Sequence, residues 1–286
     1  MSLILQTSET ANWWPLHQEG SCADQLIAGY PLSDLQKANA ADTPDATQYE
    51  NAWITPADWA ALAAAPQPAV LKSTQGDTLA WIGEAPSGTE VTASEQSYLL
   101  HYAWDFITLN EQLVSAINSN DIHGDVSPAA HIDGHIHVGK GTKILPGVVI
   151  EGNIIIGENC KIGPNCYLRG STTIGDNCHI GQAVEIKNSL IGHNSSVGHL
   201  SYVGDSVIGN AVNFGAGTIT SNLRHDGTNH KSTIDGEFID TGRRKFGTIV
   251  GDGTHTGIHT AIYPGRKLGP HSTTLPNGTV KTDIVT

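Results

Sequence analysis

The chain has 286 residues and a formal net charge of −13, ample length to bury one or two cores. The charge is unevenly spread: residues 1–120 hold all 6 Trp, 5 Gly and 14 Asp/Glu against 2 Lys/Arg, while residues 121–286 hold 27 Gly, no Trp and 14 Asp/Glu against 13 Lys/Arg. This balance argues against a nucleic-acid backbone binder, no apolar run reaches the ~18 residues of a membrane span, the start lacks a signal-peptide pattern, and 4 Cys do not make a disulfide framework, so a reducing cytoplasm is the expected location.

Residues 1–97 read as a small acidic α/β region whose role the residues leave open. Within it, 55–65 (TPADWAALAAA) is a short helix after a Thr-Pro start, and 69–72 with 78–82 alternate as a hairpin around Gln75-Gly76-Asp77. No Gly-rich phosphate loop occurs here. Residues 98–120 carry apolar side chains at helical spacing (Leu99, Ala103, Phe106, Ile107, Leu113, Val114, Ile117), with Ser97 as N-cap. This is expected to be a connecting helix that caps the open end of the C-terminal region.

Residues 121–286 repeat every six residues. One register holds Val126, Ile132, Val138, Ile144, Ile150, Ile156, Ile162, Leu168, Ile174, Ile180 and Ile186 without a break. It slips by one to Ile191, Val197 and Val203, slips again to Ile208, Phe214 and Thr220, and resumes at Val250 after an interruption over 221–249. Gly usually follows the aliphatic, which is read as permission for a tight turn, and a small or β-branched residue sits four after it. Such a repeat predicts a parallel β-helix of about seven triangular coils, three hexapeptides to a coil. Cys160 and Cys178 fall 18 apart in one inward slot and Cys166 in the same slot of the next face, which makes them small core residues and no metal site.

Chemistry is expected where the slot rule is broken. Glu151, Arg169 and Lys187 replace the small residue after the aliphatic and, at intervals of 18, form one column. Two cations about 4.8 Å apart repel by a few kcal/mol, so Glu151, solvent or an anionic ligand must offset them. A phosphate fits such an Arg–Lys pair, and a solvated column with Glu151 as partner fits equally. Tyr167, Glu185 and Tyr202 form a second column; His179, Ser196 and Asn213 form a third on another edge. His199, in VGHLSYVGD, has the chemistry of a general base.

The stretch VEIKNSLIGHNSSVGHLSYVGDSVIGNAVNFGAGTITSN (184–222) resembles the acetyltransferase domain of bifunctional UDP-N-acetylglucosamine pyrophosphorylase/glucosamine-1-phosphate N-acetyltransferase. The run 222–269, with DTGRRKFGTIVGDGTHTGIHTAIYPGRKLG, is more similar to its archaeal-type branch, and the likeness covers roughly 100–286. It implies a left-handed β-helix, acetyl-CoA as co-substrate, no metal for acetyl transfer, and a homotrimer with sites between subunits. It places sugar-phosphate contacts on Arg169, Lys187, Tyr202 and Asn213, the base on His199, and supporting polar groups on Glu185 and Asn222. The acetyl carbonyl meets the backbone of Ala216, and acetyl-CoA contacts fall near Ile258 and Pro276. The interruption 221–249 is expected as an arm reaching toward a neighbour, with Lys231, Arg243, Arg244 and Lys245 available to phosphates. Arg266, Lys267 and Lys281 are candidates for a distal basic contact to coenzyme A. With only a short region before the helix, the uridylyl-transfer half-reaction is not expected.

The function implied is direct N-acetyl transfer from acetyl-CoA to an amino-sugar phosphate, glucosamine-1-phosphate-like. Alternatives are an acyltransferase for a nucleotide-linked amino sugar and a non-catalytic trimeric relic. A zinc anhydrase on the same scaffold needs three converging His, and His131, His135 and His137 sit away from the motif as surface or cap residues. Neither nucleic acid nor membrane is an expected partner.

Overall fold

The computed structural model describes residues 3–7, 12–16, 21–40, 43 and 45–285. They fall into two compact units, one mainly Tyr30–Tyr102, the other Ala103 onward together with Trp14–Leu16 and Leu26–Gly29.

The first unit is a five-stranded mixed sheet in the order Ile4–Gln6, Ala46–Tyr49, Thr78–Ile82, Ala69–Lys72, Thr89–Thr92. Helices α1 (Leu32–Asn39) and α2 (Pro56–Ala64) accompany it. The expected hairpin is there, Ala69–Lys72 antiparallel to Thr78–Ile82. So is the expected helix: Thr55 caps α2 by accepting from the Asp58 N–H, and Pro56 follows it. Trp59 and Leu62 of α2 pack with Leu71 and Leu79 of the sheet, so one stripe of the helix closes the core. Trp53 and Trp81 are also buried, which accounts for part of the Trp richness of this end.

The helix expected over 98–120 is shorter. Tyr98–Leu99 is a strand paired with Ala52–Trp53, and the Ser97 hydroxyl donates to Asp58 instead of capping a helix. Helix α3 therefore spans Asp105–Ser115. Asn110 fixes it to the flank of the β-helix, accepting from the Thr173 hydroxyl at 2.7 Å and donating to the Ser171 carbonyl at 3.0 Å. Those contacts lie along the side of the coils and not over the first one.

From Asp121 the chain winds as a β-solenoid with three parallel sheets. Two faces have eight strands and one has six. The aliphatic register points inward throughout: Ile150, Leu168, Ile186 and Val203 stack on one face, and Ile144, Ile162, Ile180 and Val197 on another. The slips appear as coils one residue short, Ile174 pairing with Ile191 and Ile186 with Val203. Cys160 and Cys178 stack as expected, the Cys178 N–H lying 3.4 Å from the Cys160 sulfur, and Cys166 is buried. Burial pushes the Cys166 thiol up to about 12.

The glycines after the aliphatics do not make the turns. Of those in that slot only Gly163 has a left-handed φ. The corners are turned by other residues, including Asn159, Asn177 and Asn194 at φ 55°, 56° and 58°. The slot is glycine because coils approach there: a Cβ on Gly181 would sit 1.8 Å from the Gly198 carbonyl oxygen of the next coil. Asn suits the corners because its short polar side chain tolerates the left-handed region.

Candidate functional site

The columns read from spacing exist as ladders. Asp133, Glu151, Arg169, Lys187 and Gly204 are in register on one face, and Tyr167, Glu185, Tyr202 and Ile219 are in register beside them. On the neighbouring face Lys161, His179, Ser196 and Asn213 line up.

The cations of the first column are offset from within the chain, and not by Glu151. Arg169 donates to Glu185 through Nε and Nη2, both at 2.7 Å, with its guanidinium 5.5 Å from the Tyr167 ring centre. Lys187 Nζ donates to both oxygens of Asp205 at 2.8 and 2.7 Å. Glu151 instead accepts from the Tyr167 hydroxyl. Asn222 joins the cluster, its Nδ2 lying 2.8 Å from the Tyr202 oxygen and 2.5 Å from Asp205 Oδ2. Burial, then the charges of Asp205 and Glu185, hold the Tyr202 phenol above its ordinary value of 10.0. Arg169, Glu185, Lys187, Tyr202 and Asn222 thus form one cluster.

His199 lies beside it, at the edge where the two faces meet. Its carbonyl accepts from the Gly217 N–H, that of Ala216 from His259, and that of Ile258 from Asn277. Leu200, Gly217, His259 and Asn277 all have left-handed φ and turn the same corner on successive coils. His199, Ala216, Ile258 and Pro276 are therefore one edge column, each preceding the corner residue. The His199 imidazole is exposed and makes no hydrogen bond among the described residues.

Two residues stand apart. Asn213 is exposed on the neighbouring face, and Lys231 is exposed on the hairpin formed by Lys231–Ile234 and Glu237–Asp240. The arm carrying that hairpin is docked on its own chain. Arg243 holds Glu111 of α3 at 2.6 and 3.2 Å and the Thr108 hydroxyl at 2.9 Å, so its guanidinium is already engaged. Lys267, a candidate for the distal coenzyme A contact, is likewise engaged: it is buried, donates to the Thr233 carbonyl and lies 5.0 Å from the Trp14 ring centre.

At the root of the arm His230 is buried, its Nε2 donating to the Asn222 carbonyl at 3.0 Å, its ring against Phe246. Burial holds it below the ordinary imidazole value of 6.5, assisted by Arg224, while the Asn222 bond, Asp205 and Asp226 work the other way. The unfolded chain takes up this proton more readily than the folded one, so this contribution is whole above about pH 6.5 and is lost as pH falls below it. Thermal melts of the wild type should drop between pH 7.5 and pH 5. The drop should shrink in His230→Gln; an unchanged drop assigns the loss to other groups.

Sequence reasoning missed Asp205, Asn188 and Glu111. The signal was the corner slot after the charged column: Gly152 and Gly170 turn it in two coils, whereas Asn188 and Asp205 turn it in the next two, at φ 48° and 49°. The three His at 131, 135 and 137 lie on or beside the first coils, and among the described residues no cluster of three His, Cys, Asp or Glu is placed to hold a metal. Among the described residues no helix is long and apolar enough to cross a membrane.

The fold and its inward aliphatic stack define a hexapeptide-repeat β-helix. Residues 150–285 match the family described as the GMPPB C-terminal domain. The chain is 41% identical over 181 residues to the bifunctional protein GlmU of Methanococcus aeolicus, covering 63% of this chain and 44% of the relative. It is 48% identical over 183 residues to GlmU of Methanococcus maripaludis, covering 64% and 44%. It is 46% identical over 102 residues to a bifunctional sugar-1-phosphate nucleotidylyltransferase/acetyltransferase of Sulfurisphaera tokodaii, covering 36% and 25%. The match thus spans less than half the length of each of these relatives. Among solved structures, the acetyltransferase domain of PglB from Neisseria gonorrhoeae is 24% identical with a TM-score of 0.26, covering 35% of this chain and 47% of that one. Nothing about function rests on that likeness.

Proposed function

We propose that the protein is an acetyl-CoA-dependent N-acetyltransferase for an amino-sugar phosphate of the glucosamine-1-phosphate kind, working as a homotrimer. The observation that carries this is the edge column of His199, Ala216, Ile258 and Pro276 running beside the cluster of Arg169, Lys187 and Tyr202. A base, a backbone donor and an exposed apolar edge lie along one line, and phosphate donors lie on the adjoining face. The 46% identity over 102 residues to a relative named as a nucleotidylyltransferase/acetyltransferase supports the reading.

In this reading Arg169 and Lys187 hold the phosphate and Tyr202 the sugar, which fixes the amine against the thioester. His199 takes the amine proton as nitrogen attacks the acetyl carbon. The carbon–sulfur bond then breaks, and the coenzyme A thiolate takes the proton from His199 and leaves as the thiol. The Ala216 N–H would stabilise the developing oxyanion. Exposed Ile258 and Pro276 are the residues that would seat acetyl-CoA. Asn213, exposed on the neighbouring face, and Lys231, exposed on the hairpin, would act on a neighbouring copy's substrate, which is the support for a trimer.

Purified protein with acetyl-CoA and glucosamine 1-phosphate should release free thiol. Absence of thiol with that acceptor, with other amino-sugar phosphates and with nucleotide-linked amino sugars would overturn the enzyme reading. Light scattering should return three times the chain mass.

A further inference from the structure

Asp205 is almost buried, with its side chain only 3% exposed, yet it carries a full set of donors. Lys187 reaches both carboxylate oxygens, Asn188 Nδ2 reaches Oδ1 at 3.1 Å, and Asn222 Nδ2 reaches Oδ2. The backbone is tied as well. The Asp205 N–H donates to the Lys187 carbonyl, and its own carbonyl accepts from Gly247, where the arm returns.

The β-helix does not need this arrangement. Gly152 and Gly170 turn the same corner two and three coils below without a carboxylate. A shielded ion pair is seldom better for stability than apolar packing of equal volume. What the pair does is restrict Lys187. A lysine is a flexible point charge with three donors. With two bonds to Asp205, it is held before any ligand arrives and has one donor left to offer. The cluster of Glu151, Arg169, Glu185, Lys187 and Asp205 carries a formal charge of −1, so orientation and not excess positive charge is its asset.

The network extends further. Asn188 Nδ2 also donates to Glu111 of α3, and Glu111 is the carboxylate that grips Arg243 of the arm. One amide thus bridges two carboxylates, and the helix and arm are joined to the lysine.

We propose that Asp205 is the positioning residue of this site, holding the Lys187 ammonium and the Asn222 amide in place, with the Glu111–Arg243 pair buttressing it from behind. The kinetic part rests on the acetyl-transfer reading.

The test compares wild type with Asp205→Asn, Asp205→Gly and Glu111→Gln. Asp205→Gly reproduces the corner of the lower coils, which secures a folded variant. With acetyl-CoA and glucosamine 1-phosphate, both Asp205 variants should lose about ten- to a hundredfold in kcat. KM for the sugar phosphate should stay level or fall, because a negative charge has been removed. Glu111→Gln should show a smaller loss of the same kind. A raised KM with unchanged kcat would overturn the proposal. Acetic anhydride labelling, read by peptide mass, needs no turnover. Lys187 should label several-fold faster in both Asp205 variants, with exposed Lys161 as the internal standard. Equal Lys187 labelling would overturn the proposal even in an active enzyme. Faster labelling in the Asp205 variants of a protein inactive on every acceptor would uphold the positioning and reject the acetyl-transfer reading.

Discussion

His199→Ala is expected to lower the turnover of acetyl transfer by about 10²–10⁴-fold, the usual contribution of a positioned general base. The fold should be unaffected. The imidazole is exposed and contributes no side-chain hydrogen bond among the described residues, and the ladder at this position is carried by the His199 backbone, which alanine keeps. The measurement is thiol release at saturating acetyl-CoA together with a thermal melt. His199→Gln, which keeps size and polarity but not basicity, should be as inactive as alanine. A variant with wild-type turnover would remove His199 from the chemistry. One that melts well below wild type would mean that the edge column depends on the ring.

Gly181→Ala is expected to cost about 3 kcal/mol or more, at the upper end of overpacking changes. The added methyl would lie 1.8 Å from the Gly198 carbonyl oxygen, and backbone atoms of the next coil cannot move aside as a flexible side chain would. Relief would require prising two coils apart and stretching ladder bonds on each side of Gly181. Asn177→Gly is the contrasting change. Its φ of 56° suits glycine, and removing the side chain should alter stability by less than about 1 kcal/mol. Urea denaturation of the two variants separates close approach from turn formation. Equal losses would restore the turn as the reason for glycine in this slot.

These two changes also show where a sequence is legible in such a protein. An inward side chain recurs at every hexapeptide, so Ile144, Ile162 and Ile180 announce the coil, its period and even its one-residue slips. The purpose of Gly181 was not legible, because composition does not distinguish a glycine chosen for φ from one chosen for absence of volume. Arg169 and Lys187 stood out as charges in a small-residue slot, but their partners did not. Glu111 and Asn188 are 77 residues apart, and no local pattern joins them. Leu99 fits the apolar spacing of helix α3, yet Tyr98–Leu99 pairs as a strand with Ala52–Trp53, a partner that no local pattern reveals.

The way the arm is rooted bears on how this chain tolerates change. Its two ends meet at one residue, the Asn222 side chain and the Gly247 N–H both binding Asp205, and the ladder resumes at once with Thr248–Val250 paired to Val207–Ile208. The segment between them is a loop with a closed neck. Doubling the length of such a loop adds only about 0.6 kcal/mol of closure entropy. The exposed hairpin tip at 235–236, where Gly236 has open space around it, is therefore a natural point for insertion of a tag, a fluorophore or a whole domain, grafted without disturbing the coil above or below.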